Sequence, residues 1–144
     1  MSRPVPVPDA TSAAYWANTA QHVLSVARCA VCTKLVLPPD VMCPRCGTGT
    51  PDWEFVPVSG RGTVRSWTVM RQSFLPGFGD DVPFVLVDVE LAEQAELRLI
   101  GRLLDGVTVL AEDGPLRIGT RVEVAFEDIA DGISVPAFRL VSSA

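Results

Sequence analysis

From residue 53 onward, apolar and polar residues alternate in short segments, which is the pattern of β-strands that bury one face. The clearest segment is 84–91, where Val85, Val87 and Val89 share one side while Asp88 and Glu90 fall on the other. Further segments of this kind occupy residues 54–58, 63–71, 97–103, 121–126 and 133–140. Five or six strands in about 90 residues, with no helical periodicity among them, predict a small closed or partly closed barrel.

The first 28 residues have a different character. Three prolines within the first eight residues predict an extended arm, because alternating proline favours polyproline II and excludes a helix. A helix is predicted for residues 12–20, where Asp9 or Thr11 can provide the N-terminal cap. Residues 23–28 then predict a strand that leads toward the first cysteine.

The four cysteines form two C-x-x-C pairs, Cys29 with Cys32 and Cys43 with Cys46. Each pair can turn both sulfurs inward on one tight turn, and two facing turns supply the tetrahedral four-sulfur cage that zinc prefers. We therefore predict a zinc ribbon over residues 29–52. Four protein sulfurs leave no open coordination position, so the metal is expected to be structural and not catalytic.

Two other uses of the cysteines remain open. Two disulfides would suit an oxidising compartment, but no apolar signal segment follows the first residues. Iron in a rubredoxin-like cage uses the same four ligands, and the sequence barely separates that site from a zinc site. Zinc is the expected ion, and iron is the less common alternative.

Charge and hydropathy narrow the class of partner. The 144 residues carry a formal net charge of -5 at pH 7. An acidic protein repels phosphate backbones, so this charge argues against nucleic acid as the main partner. No apolar run approaches the roughly 20 residues of a membrane span, and we expect a cytoplasmic protein.

The residues do not indicate catalysis by this chain alone. His22 is the single histidine; it is a candidate metal ligand or proton carrier, but a solvated residue at a helix end is the commoner case. There is no Gly-x-Ser-x-Gly motif and no phosphate-binding loop. Adjacent acids at 80–81, 112–113 and 127–128 are expected to be solvated turn residues.

A turn-rich segment, residues 73–83, places three large apolar side chains between two predicted strands. Large apolar groups on an exposed loop are typical of an interface, so we predict contact with a partner or an acyl chain. The alternative is a small core beneath the loop. The predicted contact segment comprises Phe74, Leu75, Pro76, Gly77 and Phe78.

Three arginines, Arg61, Arg65 and Arg71, lie close in sequence near the first barrel strands. Arginine binds phosphate well, so a coenzyme A diphosphate is a candidate ligand, although ordinary surface arginines are the commoner case. Trp67 lies among them and is expected to pack in the core, with stacking on an adenine as the alternative.

Several motifs follow one another in a characteristic order: a Tyr-Trp helix, the four-cysteine ribbon, Val58-Ser59-Gly60-Arg61-Gly62-Thr63-Val64, Pro76-Gly77-Phe78, Arg117-Ile118-Gly119, Phe126-Glu127-Asp128 and Pro136-Ala137-Phe138. This combination resembles the DUF35 family, whose members join a zinc ribbon to an OB-fold barrel. The resemblance covers residues 15–138. Thr33 is a departure, since the cysteine turn more often carries glycine at that position.

The resemblance implies an arm and helix over residues 1–28, the ribbon over 29–52 and an OB-fold domain over 53–144. It also implies a hetero-oligomer with a thiolase-like enzyme or a lipid-transfer-protein-like aldolase. In that assembly the companion chain helps to hold or channel an acyl-CoA, and the nucleophile or base belongs to the partner. In some members the reaction is retro-aldol cleavage of a steroid side-chain CoA thioester.

Two functions outside this family pattern remain open from the residues. One is an OB-fold protein that binds single-stranded nucleic acid through a basic groove and stacking aromatics. The other is a rubredoxin-like electron carrier, which the four-cysteine spacing also allows.

Overall fold

The computed structural model describes residues 2–141 and divides them between a small sheet and a barrel. The regular elements are α1 (Ala13–Thr19), β1 (Ser25–Arg28), β2 (Leu35–Val36), β3 (Glu54–Pro57), β4 (Arg61–Met70), β5 (Phe84–Leu91), β6 (Arg98–Leu103), a 3-10 helix (Val107–Leu110), β7 (Arg121–Ala130) and β8 (Ile133–Leu140). Within that described range, no helix has the length and apolar character needed to cross a membrane. The mainly β architecture with one short N-terminal α-helix confirms the predicted fold class.

The small sheet has the strand order β2-β1-β3, and both strand pairs are antiparallel. The central strand β1 is the most buried, with Val26 and Ala27 both at 0% exposure. Helix α1 packs nearby, since the Tyr15 ring lies 6.2 Å from the ring of Phe55 in β3. Burial in this contact raises the pKa of Tyr15 to about 12. The sheet is thus the platform from which the cysteine turns project.

The barrel closes in the strand order β4-β5-β6-β8-β7, and β7 returns to pair with β4. Neighbouring strands are antiparallel except β6 and β8, which pair in parallel where Leu103 meets Phe138. Closure removes the open sheet edges that would otherwise favour aggregation. Five strands closed in this way form an OB-fold barrel, as predicted.

Alternation along β5 fills the barrel interior. Every second residue from Val85 to Leu91 is buried, and the residues between them are partly exposed. Phe138 is fully buried on the other side, where Gly101 leaves space for its ring. A Cβ at Gly101 would lie 3.0 Å from that ring, so a side chain there would crowd Phe138. The predicted period of two in β5 is confirmed.

The start of α1 differs from the prediction. Ser12 occupies the N-cap position and makes no side-chain cap hydrogen bond, and of the two predicted caps only Asp9 accepts backbone N–H groups at this end of the helix. The Asp9 carboxylate accepts the backbone N–H groups of Thr11 at 3.0 Å and Ser12 at 2.9 Å. Side-chain hydrogen bonds from the same two residues lower the pKa of Asp9. Asp9 therefore stabilises the turn before the helix instead of its first turn.

Strand β3 belongs to the small sheet and not to the barrel. It pairs with β1 over four residues, with Val26 opposite Val56. We expected the strand at residues 54–58 to lie in the barrel segment 53–144, and its pairing corrects that expectation. Alternation specifies which face of a strand is buried but does not specify the partner strand, which here precedes the cysteines.

Two barrel strands extend beyond their predicted limits. β4 begins at Arg61, two residues before the predicted strand at residues 63–71. β7 continues to Ala130, so Glu127 and Asp128 lie in a strand and not in a turn. The 3-10 helix was not predicted. Acidic residues favour turns locally, but these two acids pair with basic groups from distant segments, which offsets that preference.

Candidate metal centre and β4–β5 loop

The four cysteines converge near the end of β1 and the start of β2. Their sulfur atoms all lie within 4.8 Å of one another. The distance between sulfurs is 3.9 Å for Cys29 and Cys46 and 3.7 Å for Cys32 and Cys43. A tetrahedral cage with metal–sulfur bonds of about 2.3 Å has sulfur–sulfur edges of about 3.8 Å. The arrangement fits, and the four cysteines could hold one metal ion.

Backbone N–H groups support the thiolate form of the cysteines. Val31 donates to the sulfur of Cys29, and Arg45 donates to the sulfur of Cys43, both at 3.4 Å. Burial acts to raise the pKa of the Cys43 thiol, but hydrogen bonds from the backbone N–H groups of Cys46 and Arg45, together with those from the Cys32 and Cys46 side chains, lower the pKa to about 7. The thiolate is the form that ligates a metal, so the backbone prepares this ligand for binding.

The residue after each cysteine pair adopts a left-handed backbone conformation. Gly47 has φ +77° and Thr33 has φ +65°. Glycine reaches this region freely, whereas a β-branched residue reaches it at a cost in energy. The hydroxyl of Thr33 donates to the carbonyl oxygen of Cys32 at 2.6 Å, which anchors the strained residue. The departure noted at position 33 is therefore accommodated without loss of a ligand.

The β4–β5 loop, residues 71–83, carries two strongly exposed apolar side chains. Phe74 is 90% exposed and Leu75 is 59% exposed. The backbone N–H of Leu75 donates to the hydroxyl of Ser73 at 3.2 Å, which holds the tip in a tight turn. Side chains of this kind at the tip of a structured loop are available to another surface.

Phe78 lies in the same loop but packs inward. Its ring centroid is 5.8 Å from that of Phe84 at the start of β5. The guanidinium of Arg3 lies over the Phe78 ring, 4.6 Å from the ring centroid. The small core that we considered as an alternative for the whole loop therefore describes Phe78, whereas the tip residues remain exposed.

The predicted arginine group is divided among different surroundings. Arg65 lies 3.9 Å from the carboxylate of Glu90, and Arg71 is an exposed residue of the β4–β5 loop. Trp67 is 38% exposed on β4, so its assignment to the core was wrong. The strand pairs with β5 alone at this level, because pairing with β7 stops at Thr63 and leaves Trp67 less covered.

Arg61 borders a cavity with a volume of about 530 Å³. Arg121 also lines it, together with apolar residues that include Leu91 and Val122. Within residues 2–141 neither arginine forms an ion pair with a carboxylate. The cavity places positive charge beside apolar surface at one end of the barrel.

His22 follows the helix end with its side chain half exposed, as predicted, but it also bonds to the barrel. Its Nε2 lies 2.7 Å from Oδ1 of Asp128, and its ring stacks on Phe126 with centroids 5.0 Å apart. The hydroxyl of Ser134 donates to the same carboxylate oxygen. Hydrogen bonds from Ser134 and His22 lower the pKa of Asp128. Because Ser134 faces the carboxylate and not the imidazole, this cluster is not a nucleophile–base pair.

Sequence reasoning missed Arg3 and Gln94, whose partners are distant in the chain. Arg3 donates to Asp81 at 2.7 Å and to Glu127 at 3.2 Å, across 78 and 124 positions. Both acids had been expected to be solvated turn residues, which is corrected by these ion pairs. No local pattern marks such long-range contacts, so only the three-dimensional structure reveals them.

A four-cysteine turn structure set on a small sheet and followed by a closed OB-fold barrel defines this chain as a ribbon–OB-fold protein. The family model described as "ChsH2, C-terminal OB-fold domain" matches residues 55–127. The chain belongs to the DUF35 family, as the sequence motifs predicted.

Two relatives are similar to this chain over most of its length. It is 31% identical over 137 residues to a "Probable enoyl-CoA hydratase alpha subunit" of Thermomonospora curvata, which covers 95% of this chain but only 40% of that protein. It is 29% identical over 117 residues to a "DUF35 domain-containing scaffold protein" of Methanocaldococcus jannaschii, covering 78% of this chain and 77% of the relative. The chain therefore spans less than half the length of the first relative.

Solved structures give the same placement. A chain of the "Ltp2-ChsH2(DUF35) aldolase" matches with a TM-score of 0.75 and 32% identity, covering 94% of this chain and 98% of that chain. A DUF35-family protein of unknown function from Sulfolobus solfataricus matches with a TM-score of 0.56 and 13% identity, which shows a shared fold. The first match spans nearly the full length of both chains.

Proposed function

We propose that this chain is an auxiliary subunit that docks on a thiolase-like enzyme acting on acyl-CoA thioesters. The observation that carries the proposal is the match to a chain of the Ltp2-ChsH2(DUF35) aldolase over nearly the full length of both chains. The relative that is described as a scaffold protein favours an auxiliary role for this chain over a catalytic one. In this account the bond-making residues belong to the partner.

The residues of the chain agree with a non-catalytic role. The single histidine is bonded to Asp128, and the four cysteine sulfurs lie together within 4.8 Å of one another. Among the described residues no serine or cysteine is paired with a base in the arrangement that activates a nucleophile. The exposed tip of the β4–β5 loop, Phe74 and Leu75, is instead suited to contact with a second protein.

We further propose zinc as the ion in the cysteine cage. All four candidate ligands are cysteine sulfurs whose spacing fits a tetrahedral cage, which zinc shares with iron, and zinc is the common structural ion of such ribbons. When bound, the metal would supply crosslinking of the two cysteine turns and no chemistry toward a substrate. The protein's own contribution is to hold the sulfurs in place through β1, β2 and the N–H groups of Val31 and Arg45.

A more specific hypothesis is that the partner is a lipid-transfer-protein-like aldolase and that the reaction is a retro-aldol cleavage of a steroid side-chain CoA thioester. The family resemblance and the aldolase named in the solved match support this hypothesis. The Thermomonospora relative supports the acyl-CoA substrate class, since it is named as an enoyl-CoA hydratase subunit. Acyl-CoA at the shared interface is part of the same proposal.

Co-expression tests the proposal. The tagged chain is expressed with thiolase-fold enzymes encoded beside its gene, and complexes are analysed by size-exclusion chromatography with light scattering. A stoichiometric complex that contains one zinc per copy of this chain is the expected result. Separate elution of the chain from every such enzyme would contradict the proposed complex. A red, iron-loaded protein would show that the bound ion is iron and not zinc.

A further inference from the structure

We propose that the N-terminal arm, residues 2–8, sets the conformation of the β4–β5 loop, and that Arg3 is the positioning residue that couples them. The inference rests on the proposed function, since the loop tip is taken as a docking surface for the partner. It adds a role for a segment whose prolines alone had predicted only an extended arm.

Two carboxylates from different elements meet the guanidinium of Arg3. Asp81, at the end of the β4–β5 loop, accepts at 2.7 Å, and Glu127 of β7 accepts at 3.2 Å. The side chain of Arg3 is only 17% exposed, which is low for arginine at a chain terminus. Partial burial reduces screening by solvent, so these ion pairs hold more firmly than an isolated surface pair.

The arm also contacts the loop through its backbone and through an aromatic ring. A Cβ at Gly77 would lie 2.5 Å from the backbone nitrogen of Arg3, so the arm passes directly over this glycine. The guanidinium stacks on Phe78, at a distance of 4.6 Å that suits a cation–π contact. Arg3 thus contacts the loop at three residues, Gly77, Phe78 and Asp81.

Arg102 of β6 completes the cluster from the barrel side. Its guanidinium lies 3.5 Å from Asp81 and 3.7 Å from Glu127, and 5.2 Å from the ring centroid of Phe84. Two guanidinium groups therefore balance two carboxylates. Without Arg3, the two acids share one cation, and their mutual repulsion favours release of Asp81 and of the loop that carries it.

This arrangement fixes the C-terminal half of the β4–β5 loop and leaves its tip free. Residues 77–81 are held by the arm, whereas Phe74 is 90% exposed and Leu75 is 59% exposed. A loop held in this way presents its apolar tip in one position, so less conformational entropy is lost when a partner binds. The arm thereby favours docking without any need to contact the partner itself.

Arg3→Ala and Arg3→Lys test the inference, with Arg28→Ala as the matched control. Arg28 forms one exposed ion pair with Glu54 in the small sheet, at 2.8 Å and away from the loop. The first readout is hydrogen exchange of the Asp81 amide in the isolated chain, because this N–H bonds the carbonyl of Phe78 at 3.0 Å. The second is affinity for the thiolase-fold enzyme whose complex with the wild-type chain is isolated by co-expression.

Arg3→Ala is expected to speed exchange of the Asp81 amide by about fivefold or more and to weaken the complex by a similar factor. Arg3→Lys should fall between, since lysine keeps the charge but loses the planar fork. Arg28→Ala should match the wild type in both measurements. Unchanged exchange in Arg3→Ala would overturn the coupling, and faster exchange with unchanged affinity would overturn its role in docking. A wild-type chain that binds no thiolase-fold enzyme would overturn the proposed function and the role of the loop tip in docking, whereas the exchange measurement still decides the coupling between Arg3 and the loop.

Discussion

The side-chain amide of Gln94 forms both hydrogen bonds that a neighbouring strand would offer to Leu35. The backbone N–H of Leu35 donates to Oε1 of Gln94 at 2.9 Å, and Nε2 of Gln94 donates to the Leu35 carbonyl at 2.7 Å. Leu35 lies in β2, the edge strand of the small sheet, and Gln94 lies in the β5–β6 connection of the barrel. One side chain therefore ties the small sheet to the barrel and covers part of an open strand edge.

Gln94→Ala should loosen this connection. Two backbone groups of Leu35 lose their partners, and we expect the free energy of unfolding to fall by about 1–2 kcal/mol. Denaturant unfolding and hydrogen exchange of the Leu35 amide measure the effect. Gln21→Ala is the control, because its exposed side chain makes no hydrogen bond within residues 2–141. Equal stability of the two variants would show that the amide contact contributes nothing.

Loss of the metal should destabilise the small sheet. Cys46→Ser removes one candidate ligand. Loss of a hydrogen-bond partner of a ligand typically lowers metal affinity about 10- to 100-fold, so loss of the ligand itself should lower zinc affinity by at least that factor. A chelator should lower the thermal midpoint of the wild type, and added zinc should restore it. Val41→Ala, at an exposed ribbon residue, is the control. A midpoint that does not respond to chelation would contradict a structural metal.

Asp81 should contribute stability that disappears in acid. The hydrogen bond from Arg3 lowers its pKa below 3.8, with burial acting against it and Arg102 adding to the effect. Since the folded-state pKa is the lower one, the stabilisation is complete above the unfolded-state pKa of about 3.9 and is lost as pH falls through the folded value.

The test compares the wild type with Asp81→Asn across this range. The difference in their unfolding free energies should be largest above about pH 5 and should shrink as the pH falls below about 4. Asp113→Asn is the control, because Asp113 is exposed and forms no ion pair in the described part of the chain. A difference that grows toward acid pH would contradict stabilisation of the fold by ionised Asp81.

Phe74 and Phe78 should respond differently to truncation. Phe74→Ala removes an exposed side chain, so the fold should be unaffected while affinity for the enzyme partner falls about 10-fold or more. Phe78→Ala removes the ring packed between Arg3 and Phe84, so it should lower the stability of the isolated chain. Ile118→Ala, an exposed apolar residue elsewhere, is the control for surface loss. Unaltered affinity of a folded Phe74→Ala chain would remove the loop tip from the interface.

Local patterns were sufficient for the barrel strands and for the cysteine cage. Alternation in β5 depends on side chains two positions apart, and the C-x-x-C pairs place their sulfurs within single turns, so both are readable from short windows. β5 and β8 have the predicted limits, Phe84–Leu91 and Ile133–Leu140. The cage assembles from two such turns that the sequence already places close together.

Long-range pairing accounts for what local patterns did not predict. β3 has the same alternation whether it joins the barrel or the small sheet, and its partner β1 lies on the other side of the cysteines. The residues around Glu127 predicted a solvated turn acid, because its ion-pair partner Arg3 lies 124 positions away in the chain. Phe78 could not be separated from Phe74 by sequence, because the arm that covers it enters from the chain's first residues.

The central claim is that this chain docks while another polypeptide performs the chemistry. Turnover of an acyl-CoA aldol substrate should be measured for the metal-loaded chain alone, the thiolase-fold enzyme alone and the two mixed at equal concentration. The account predicts no turnover by the chain alone and a rate in the mixture well above that of the enzyme alone. Thioester or aldol turnover by the isolated chain, or a mixture no faster than the enzyme, would contradict it.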